Sequence, residues 1–438
     1  MARFYHPKKK TQPDSKHKQV RVERLDHHGA GIAYLNKKPV FIEGALPGEN
    51  ALIQLTESKS KYSRAKLIKN LSASKERVAP FCPYYKECGG CNLQHLKHSE
   101  QLKYKQQSLE QLIKKFSGEE RRLEQPIAGE SMGYRRRARI SLMQDKKNGT
   151  LQFGFRQKKS NAIVNISHCA ALLPELEALL EPLKQLLTGL SNRANLGHLE
   201  LVQGKEQSVV LLRVIKDIKP AEREKLVAFA EEKQLSFYLH AGDEPLQRLS
   251  GEQPYYDEAG AKIPFLPNNF IQVNQHINQK MVEQAMEWLQ LASTDRVLDL
   301  FCGLGNFSLP VARKADQVVG VEGVQEMVDM AQNNAHVNGI DNSRFYQANL
   351  AEDLSAQPWF GEKFDKIILD PARAGASGVV EQLSQTGAKR IVYVSCNPAT
   401  LARDSQSLLE QGYKLSKLAM LDMFPHTSHL ESMALFEK

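Results

Sequence analysis

The feature that most restricts the fold is an alternation of apolar and helix-like segments in the last third of the chain. Five short apolar runs end in polar or small residues: RVLDLFC, QVVGVEG, RFYQANL, FDKIILDPA and RIVYVSCN. Buried parallel strands have nearly continuous apolar sequences, and the crossover between two parallel strands is usually a helix. The pattern therefore predicts an α/β fold with a doubly wound parallel sheet.

The C-terminal segment departs from this alternation. GYKLSKLAMLDMFPHTSHLESMALFEK contains two strand-like runs with only a loop between them, so we expect these two strands to pair antiparallel. A final antiparallel hairpin on a parallel sheet is typical of methyltransferases that use S-adenosylmethionine (AdoMet).

Positive charge is concentrated near the N-terminus of the 438-residue chain. Residues 1–75 contain 16 Lys and Arg against 6 Asp and Glu, whereas the remaining residues carry a net charge of −1. Such a basic module fits a polyanionic partner, because each neutralised phosphate releases a counterion. For residues 8–18 alone, a solvated basic tail is an equal alternative. Without a long apolar run or an apolar signal region, we expect a cytoplasmic protein that does not enter the membrane.

The basic region also has a strand-rich pattern. Residues 20–69 contain five short β-rich runs, separated by the turn-forming segments HHGAG, NKKP and LPGEN. Five short strands in about fifty residues predict a small barrel of the OB type, which commonly binds nucleic acid. Further along, we expect a helix over residues 99–116, a β-hairpin around Asn148 and Gly149, and a helix over residues 174–190.

Four of the six cysteines form a candidate metal site. Cys82, Cys88 and Cys91 lie close together in PFCPYYKECGGC, and Cys169 is a distant fourth. In a cytosolic chain, metal binding or catalysis explains cysteines better than disulfides do. Four thiolates suit a tetrahedral zinc ion or an iron–sulfur cluster, and the spacing does not decide between them.

Acidic residues at two strand ends form a candidate nucleoside site. Asp299 lies at the end of one strand, and Gly303 and Gly305 follow it in a turn where a ligand can approach the backbone. Glu322 ends the next strand, where a carboxylate can accept both ribose hydroxyls. An acid there disfavours a pyrophosphate, so a nucleoside without phosphates, such as AdoMet, fits better. Asn349, after the third strand, is either an adenine contact or a turn residue.

Two further strand ends carry residues suited to catalysis. Asp370 and Cys396 face the same crevice as Asp299, because ligands of open α/β sheets bind beyond the carboxyl ends of the strands. A pyrimidine C5 is weakly nucleophilic, but a thiolate that adds to C6 makes C5 an enolate carbon that can attack a sulfonium methyl group. A base must then remove the C5 proton.

Glu431 is the only suitable acid in the predicted C-terminal hairpin loop. His426 and His429 are rival bases, although we expect them to shape the loop instead. Cys302 lies inside the glycine turn and is expected to be a small packing residue.

These motifs together resemble the RNA uracil-5-methyltransferase family. The resemblance rests on VLDLFCGLGNFSLP, LDPARAGA, VSCNPATLARD, FIQVNQ and HLESMAL, and it extends over essentially the whole chain. It implies that Cys396 is the nucleophile and Glu431 the base. The AdoMet contacts implied by the resemblance are Gln272, Phe301, Asn306, Glu322, Asn349 and Asp370.

The resemblance also implies a domain architecture. It comprises an OB-like TRAM domain over residues 12–70, a mixed α/β central domain over residues 71–270, and a Rossmann-like class I AdoMet methyltransferase domain over residues 271–438. The central domain would hold a four-iron, four-sulfur (4Fe-4S) cluster on Cys82, Cys88, Cys91 and Cys169. Radical AdoMet enzymes commonly space three cysteines as C-x3-C-x2-C, unlike the C-x5-C-x2-C found here, so we expect a structural or RNA-contacting cluster.

Within the family, a basic barrel together with a cysteine cluster is similar to the branch that methylates 23S ribosomal RNA. We expect a monomer that binds neither DNA nor a membrane. Another 23S rRNA uridine or a tRNA is the alternative substrate. Two other classes of protein are alternatives. One is a non-catalytic RNA-binding protein that keeps the methyltransferase fold without a working catalytic site, and the other is a DNA cytosine-5-methyltransferase. The intact Cys396 and Glu431 argue against the first, and Ser395 in place of proline before the nucleophile argues against the second.

Overall fold

The computed structural model describes residues 16–118 and 122–438. Most of the basic segment over residues 8–18, and the start of the predicted domain over residues 12–70, lie outside the described residues. The chain packs as two compact units. The first contains the described residues up to Tyr85, together with Cys91–Ser108 and His426–Ser428, and the second contains the remainder.

The structure contains 22 strands and eight α-helices in the described residues. The strands are β1 His17–Arg21, β2 Arg24–Leu25, β3 Gly31–Leu35, β4 Lys38–Glu43, β5 Asn50–Ser58, β6 Ser63–Ser72, β7 Arg137–Gln144, β8 Leu151–Arg156, β9 Ile163–Asn165, β10 Leu196–Gln203, β11 Ser208–Val214, β12 Ser236–Ala241, β13 Gln247–Ser250, β14 Tyr255–Glu258, β15 Ala261–Pro264, β16 Arg296–Leu300, β17 Gln317–Glu322, β18 Ser343–Gln347, β19 Lys366–Leu369, β20 Arg390–Ser395, β21 Lys414–Leu421 and β22 Glu431–Glu437. The α-helices are α1 His98–Ser117, α2 Pro174–Glu177, α3 Leu180–Thr188, α4 Pro220–Glu232, α5 Gln275–Leu289, α6 Ser308–Ala312, α7 Gln325–Val337 and α8 Pro398–Glu410. Short 3-10 helices cover Arg193–Asn195 and Val380–Thr386.

The first unit contains a sheet in the order β1-β5-β6-β4-β3-β2. Alternate residues of β5, namely Ala51, Ile53 and Leu55, point into its apolar core. Five strands were predicted, and six are present because the first predicted strand is divided. Val22 donates its N–H to Glu49 and Glu23 donates its N–H to Ile32, so the chain changes partner between β1 and β2.

The second unit begins with a central sheet in the order β13-β12-β11-β10-β7-β8-β9. The predicted hairpin around Asn148 is confirmed, since β7 and β8 pair antiparallel and Gly149 adopts a φ of +69° in the turn. The single helix predicted over residues 174–190 is wrong, because α2 and α3 are separate helices. Pro182 explains the break, since its ring would clash with the carbonyl of Ala178 in a continuous helix.

The parallel sheet predicted from the strand–helix alternation is confirmed. Its order is β18-β17-β16-β19-β20-β22-β21, and only β22 and β21 run antiparallel to their neighbours. Strands β16 to β20 therefore present their carboxyl ends along one edge, which we call the carboxyl edge. No helix in the described ranges is long and apolar enough to cross a membrane.

Candidate active site

The turn after β16 is held in a conformation that places backbone groups at the carboxyl edge. Phe301, Gly303 and Gly305 have φ angles of +65°, +56° and +92°. A Cβ on Gly305 would lie only 2.9 Å from Leu309 Cγ, so both the angle and the packing require glycine there. The Gly303 N–H donates to Glu322 Oε2 at 3.2 Å, which ties this turn to the end of β17.

Glu322 is already oriented by the backbone. Its Oε1 accepts hydrogen bonds from the N–H groups of Gly323 at 2.8 Å and Val324 at 3.1 Å. The side chain remains half-buried, so its oxygens have further acceptor capacity for a ligand. A carboxylate fixed in this way suits the two hydroxyls of a ribose.

Two further carboxyl groups accompany Glu322, those of the buried Asp299 and the half-buried Asp370. Burial raises the pKa of Asp299 to about 7, which the Ser308 hydroxyl opposes by hydrogen bonding and the nearby Asp370 and Glu322 reinforce. Burial also raises the pKa of Asp370 to about 7, against a hydrogen bond from Gln272 at 3.4 Å. Asp299 Oδ1 is buried and has no hydrogen-bond partner among the residues that the structure describes. This acidic edge repels phosphate and favours a positively charged ligand such as a sulfonium.

A largely buried polar network supports two more of the predicted cofactor contacts, Gln272 and Asn306. The amides of Asn306 and Asn278 exchange two hydrogen bonds of 3.0 Å, and Asn278 also donates to Glu258. The fully buried Arg136 donates its Nε–H to the Gln272 carbonyl at 2.7 Å. Arg136 therefore holds the backbone of Gln272, and Asn278 holds the side-chain amide of Asn306.

Sequence reasoning missed this network. Arg136 shares the buried face of its segment with Tyr134, Ala138 and Ile140, which the alternation of residues along an extended chain could have revealed. Phe270 was also missed. Its side chain is 65% exposed, more than any other large apolar side chain in the described ranges, and it lies two residues before Gln272.

Asn349 follows β18 and is exposed. Its amide donates to Glu352 at 2.7 Å and its oxygen accepts the N–H of Ala351 at 3.2 Å, as a turn residue would do. These contacts do not test whether Asn349 also meets an adenine, so this role stays a prediction.

Cys396 immediately follows β20 at the carboxyl edge and is half-buried. Burial raises the pKa of its thiol to about 11, and the negative charges of Glu431 and Asp370 add to this, whereas Arg373 opposes it. The thiol is therefore mostly protonated at neutral pH in the ligand-free site. Asn397 caps α8 by accepting the N–H of Ala399 at 3.2 Å, so the cysteine lies between a strand and a helix.

Glu431 was expected in the hairpin loop, but it is the first residue of β22. The antiparallel ladder of β20 and β22 ends at the pair of Ser395 and Ser432, so Cys396 directly follows this pair on one strand and Glu431 directly precedes it on the other. Glu431 is 3% exposed. The charge of Glu431 also contributes to the raised pKa of the Cys396 thiol, so the predicted nucleophile and the predicted base lie near each other.

The remaining candidates occupy different environments. His426 is buried in the loop between β21 and β22, whereas His429 is exposed and packs against the ring of Phe424. Cys302 is buried in an apolar cluster, which confirms its predicted packing role.

The four cysteines of the candidate metal site have half-buried side chains. In the first unit, Cys82 donates its N–H to Gln94 at 3.2 Å. In the second unit, the backbone of Cys88 forms an isolated antiparallel β-bridge with Gln157, and Cys169 donates its N–H to Glu177 at 2.9 Å. Across residues 16–118 and 122–438, no three or more His, Cys, Asp or Glu side chains form a group that could hold a metal ion. The four thiols still match the ligand chemistry of an iron–sulfur or zinc site.

Comparison with known proteins gives consistent results over the whole chain. The tRNA (uracil-5-)-methyltransferase family model matches residues 97–438, and the TRAM domain model matches residues 16–68. The chain is 61% identical to the 23S rRNA (uracil(1939)-C(5))-methyltransferase RlmD of Vibrio vulnificus, and it is 55% identical to RlmD of Aliivibrio fischeri. Both alignments cover all of both chains.

The structure is also similar to a solved one. The crystal structure of the Pyrococcus abyssi tRNA (uracil-54, C5)-methyltransferase in complex with S-adenosyl-L-homocysteine matches with a TM-score of 0.77 and 25% sequence identity. The match covers 96% of this chain and 100% of that one. The resemblances to a methyltransferase family and to a TRAM domain, inferred from sequence motifs, are therefore confirmed.

Proposed function

The chain belongs to the tRNA (uracil-5-)-methyltransferase family, and from this premise we propose that it methylates C5 of a uridine in 23S rRNA with AdoMet. The observation that carries the reaction chemistry is that Cys396 and Glu431 flank the last pair of the ladder between β20 and β22, close enough for the charge of Glu431 to raise the pKa of the thiol. The relatives named as RlmD support 23S rRNA as the substrate.

Cys396 is proposed as the nucleophile. Its thiolate adds to C6 of the uracil, and the ring becomes an enolate whose C5 can form a new bond to carbon. Bound AdoMet supplies the methyl group to that carbon from its sulfonium. Burial, reinforced by the negative charges of Glu431 and Asp370, raises the pKa of the Cys396 thiol in the ligand-free site, so a positive charge entering the carboxyl edge favours the reactive thiolate.

Glu431 is proposed as the base that completes the reaction. After methyl transfer, C5 carries both the methyl group and its original hydrogen. Glu431 accepts that proton, the C5–C6 double bond forms again, and the sulfur of Cys396 leaves C6. Its burial at 3% exposure keeps bulk water from the carboxylate, and its position beside the end of the β20–β22 ladder that leads to Cys396 would bring it to the same ring.

The proposed AdoMet site combines orientation with charge. Glu322, fixed by three backbone N–H groups, would bind the ribose hydroxyls. Asp370, held by Gln272, would face the sulfonium. Asn306 is positioned by Asn278, and Phe301 and Asn349 complete the predicted contacts.

RNA binding is proposed to involve the TRAM domain and an aromatic side chain near the site. The TRAM region contains most of the excess positive charge of the chain, which suits phosphate contacts. Phe270 offers an exposed ring on which a base could stack. We further propose that the protein acts as a monomer and that it works in the cytoplasm, where its rRNA substrate would be found.

We also propose that Cys82, Cys88, Cys91 and Cys169 bind a 4Fe-4S cluster. The support is the donor set: four half-buried thiols, which is the ligand number and type that such a cluster takes. The cluster would hold PFCPYYKECGGC, which is too short and polar to form an apolar core of its own. The proposed domain boundaries remain residues 12–70, 71–270 and 271–438.

The test is methyl transfer from tritiated AdoMet to 23S rRNA fragments and to tRNA transcripts, with mass mapping of the modified nucleotide. We expect 5-methyluridine in the 23S fragment and none with the Cys396→Ala variant. Methylation of tRNA alone would favour the second candidate substrate, to which the P. abyssi enzyme's similarity points. A methyl group on a nitrogen or oxygen atom would contradict the proposed reaction.

A further inference from the structure

The loop between β21 and β22 is anchored in the first unit by the residue that follows Cys91. Asn92 Oδ1 accepts the N–H of Ser428 at 2.8 Å, and Asn92 Nδ2 donates to Ser428 Oγ at 2.9 Å. The backbone N–H groups of Asn92 and Leu93 both donate to the His426 carbonyl, at 3.1 and 2.9 Å. Two consecutive residues thus bind both ends of the segment His426–Ser428.

A second side chain holds the same loop. Gln101 is fully buried, and its Oε1 accepts the N–H of His426 at 2.9 Å. Its Nε2 lies 3.1 Å from His426 Nδ1 and also donates to the carbonyls of Leu93 and Leu96, at 3.1 and 2.8 Å. We call Asn92, Leu93 and Gln101 the loop clamp.

The loop needs such support because its backbone is not in a relaxed conformation. His426 has a φ of +63°, in the left-handed region that a residue other than glycine rarely adopts. Strain of this kind persists only where surrounding contacts impose it. Removing a clamp contact therefore gives the loop freedom to relax.

We infer that Asn92 and Gln101 are positioning residues for Glu431, through the loop that leads into β22. Only two residues separate Ser428 from Glu431, so a change in the loop reaches the base along the covalent chain. The segment that contains Cys91 would then act on the removal of the C5 proton, in addition to any role in RNA binding. This inference rests on the proposed function.

The test measures covalent protein–RNA adduct and methyl transfer in the same reactions. Asn92→Ala should carry out methyl transfer but release the product up to about a hundredfold more slowly, because a misplaced base removes the C5 proton slowly. The methylated adduct should therefore accumulate on a denaturing gel, as in Glu431→Gln. A role in RNA binding alone would reduce adduct formation instead.

Two matched variants complete the design. Asn92→Asp keeps an oxygen for the Ser428 N–H and should accumulate less adduct, so it also answers the question if Asn92→Ala does not fold. Asn148→Ala removes a side chain whose hydrogen bonds reach only Thr150 and should behave as wild type.

Accumulation of the covalent protein–RNA adduct in Asn92→Ala, with less accumulation in Asn92→Asp, supports the inference. If Glu431→Gln accumulates adduct while Asn92→Ala turns over normally, or loses methyl transfer altogether, the inference is wrong and the proposed function stands. If neither Glu431→Gln nor Asn92→Ala forms an adduct, the covalent mechanism itself fails.

Discussion

The carboxyl edge of the parallel sheet and the cysteine segment position their functional groups by different physical means. At the carboxyl edge, the hydrogen-bonded ladders of β16, β17, β19 and β20 determine where Asp299, Glu322, Asp370 and Cys396 lie. Residues 73–97, by contrast, contain no strand or helix. In the first unit this segment depends on individual contacts, such as the ion pair of Arg77 with the buried Glu49 at 2.6 Å.

This difference suggests how each region should respond to substitution. A ladder is shared by many residues, so a changed side chain at a strand end alters chemistry more than structure. An irregular segment has few backbone partners, and each side-chain or metal contact contributes a larger share of its stability. Substitutions at the carboxyl edge should therefore separate binding from catalysis, whereas substitutions in the cysteine segment should affect several properties together.

The largest effect is expected at the carboxyl edge. Cys396→Ala should abolish methyl transfer, because it removes the proposed nucleophile, while the dissociation constant of AdoMet should change by less than about threefold. Isothermal titration calorimetry and a methyl-transfer assay on the same preparation check both quantities. Turnover above background would contradict nucleophilic catalysis by this residue.

The same contrast explains what sequence could predict. Strand ends are recognisable as apolar runs followed by polar residues, so Asp299, Glu322, Asp370 and Cys396 could be placed at one edge before the structure was known. The proximity of Cys396 and Glu431 follows from the pairing of β20 with β22, which the assignment of Glu431 to a loop could not reveal.

Long-range side-chain partners could not be predicted. Gln101 and His426 are separated by 325 positions, and neither residue type indicates its partner. Arg136 was hidden for another reason: a buried arginine contradicts the usual polarity of a core, and only the alternation of its neighbours places it inside.

The second prediction tests the cysteine segment. Replacing Cys82, Cys88, Cys91 or Cys169 with Ser should remove iron and sulfide and bleach a brown, anaerobically purified protein. The yield and methyl transfer should fall together, with AdoMet affinity largely retained, because these residues lie outside the carboxyl edge. Metal analysis and visible absorption provide the measurement. One zinc ion and no iron in the wild-type protein would contradict the cluster assignment.

A smaller effect is expected from pH at the carboxyl edge. The pKa of Asp299 and of Asp370 is about 7 without ligand, so both carboxyls become ionised as pH rises from 6 to 8. The sulfonium of AdoMet binds the ionised forms better, so its affinity should rise over this range, by at most about tenfold per pH unit for each proton released. Calorimetry at pH 6 and pH 8 measures the change. An affinity that falls with rising pH would show that these carboxyls do not face the positive charge.

The smallest effect is expected on the rate at which the Cys396 thiol is alkylated. Glu431 contributes to the raised pKa of Cys396, so Glu431→Gln should lower that pKa and increase the thiolate fraction at pH 8. Alkylation of Cys396 by iodoacetamide should then be a few times faster than in wild type. Peptide mass spectrometry gives the rate, with the buried Cys302 as an internal reference. An unchanged rate would mean that the carboxylate and the thiol do not interact.

The central claim is that Cys396 and Glu431 act on opposite ends of one uracil double bond. An RNA substrate with 5-fluorouridine at the target position tests it most directly, because the base can remove a proton from C5 but not a fluorine. Wild-type protein with AdoMet should form a methylated adduct that survives denaturation and maps to Cys396 by peptide mass spectrometry. Absence of an adduct, or an adduct on any other residue, would contradict the account.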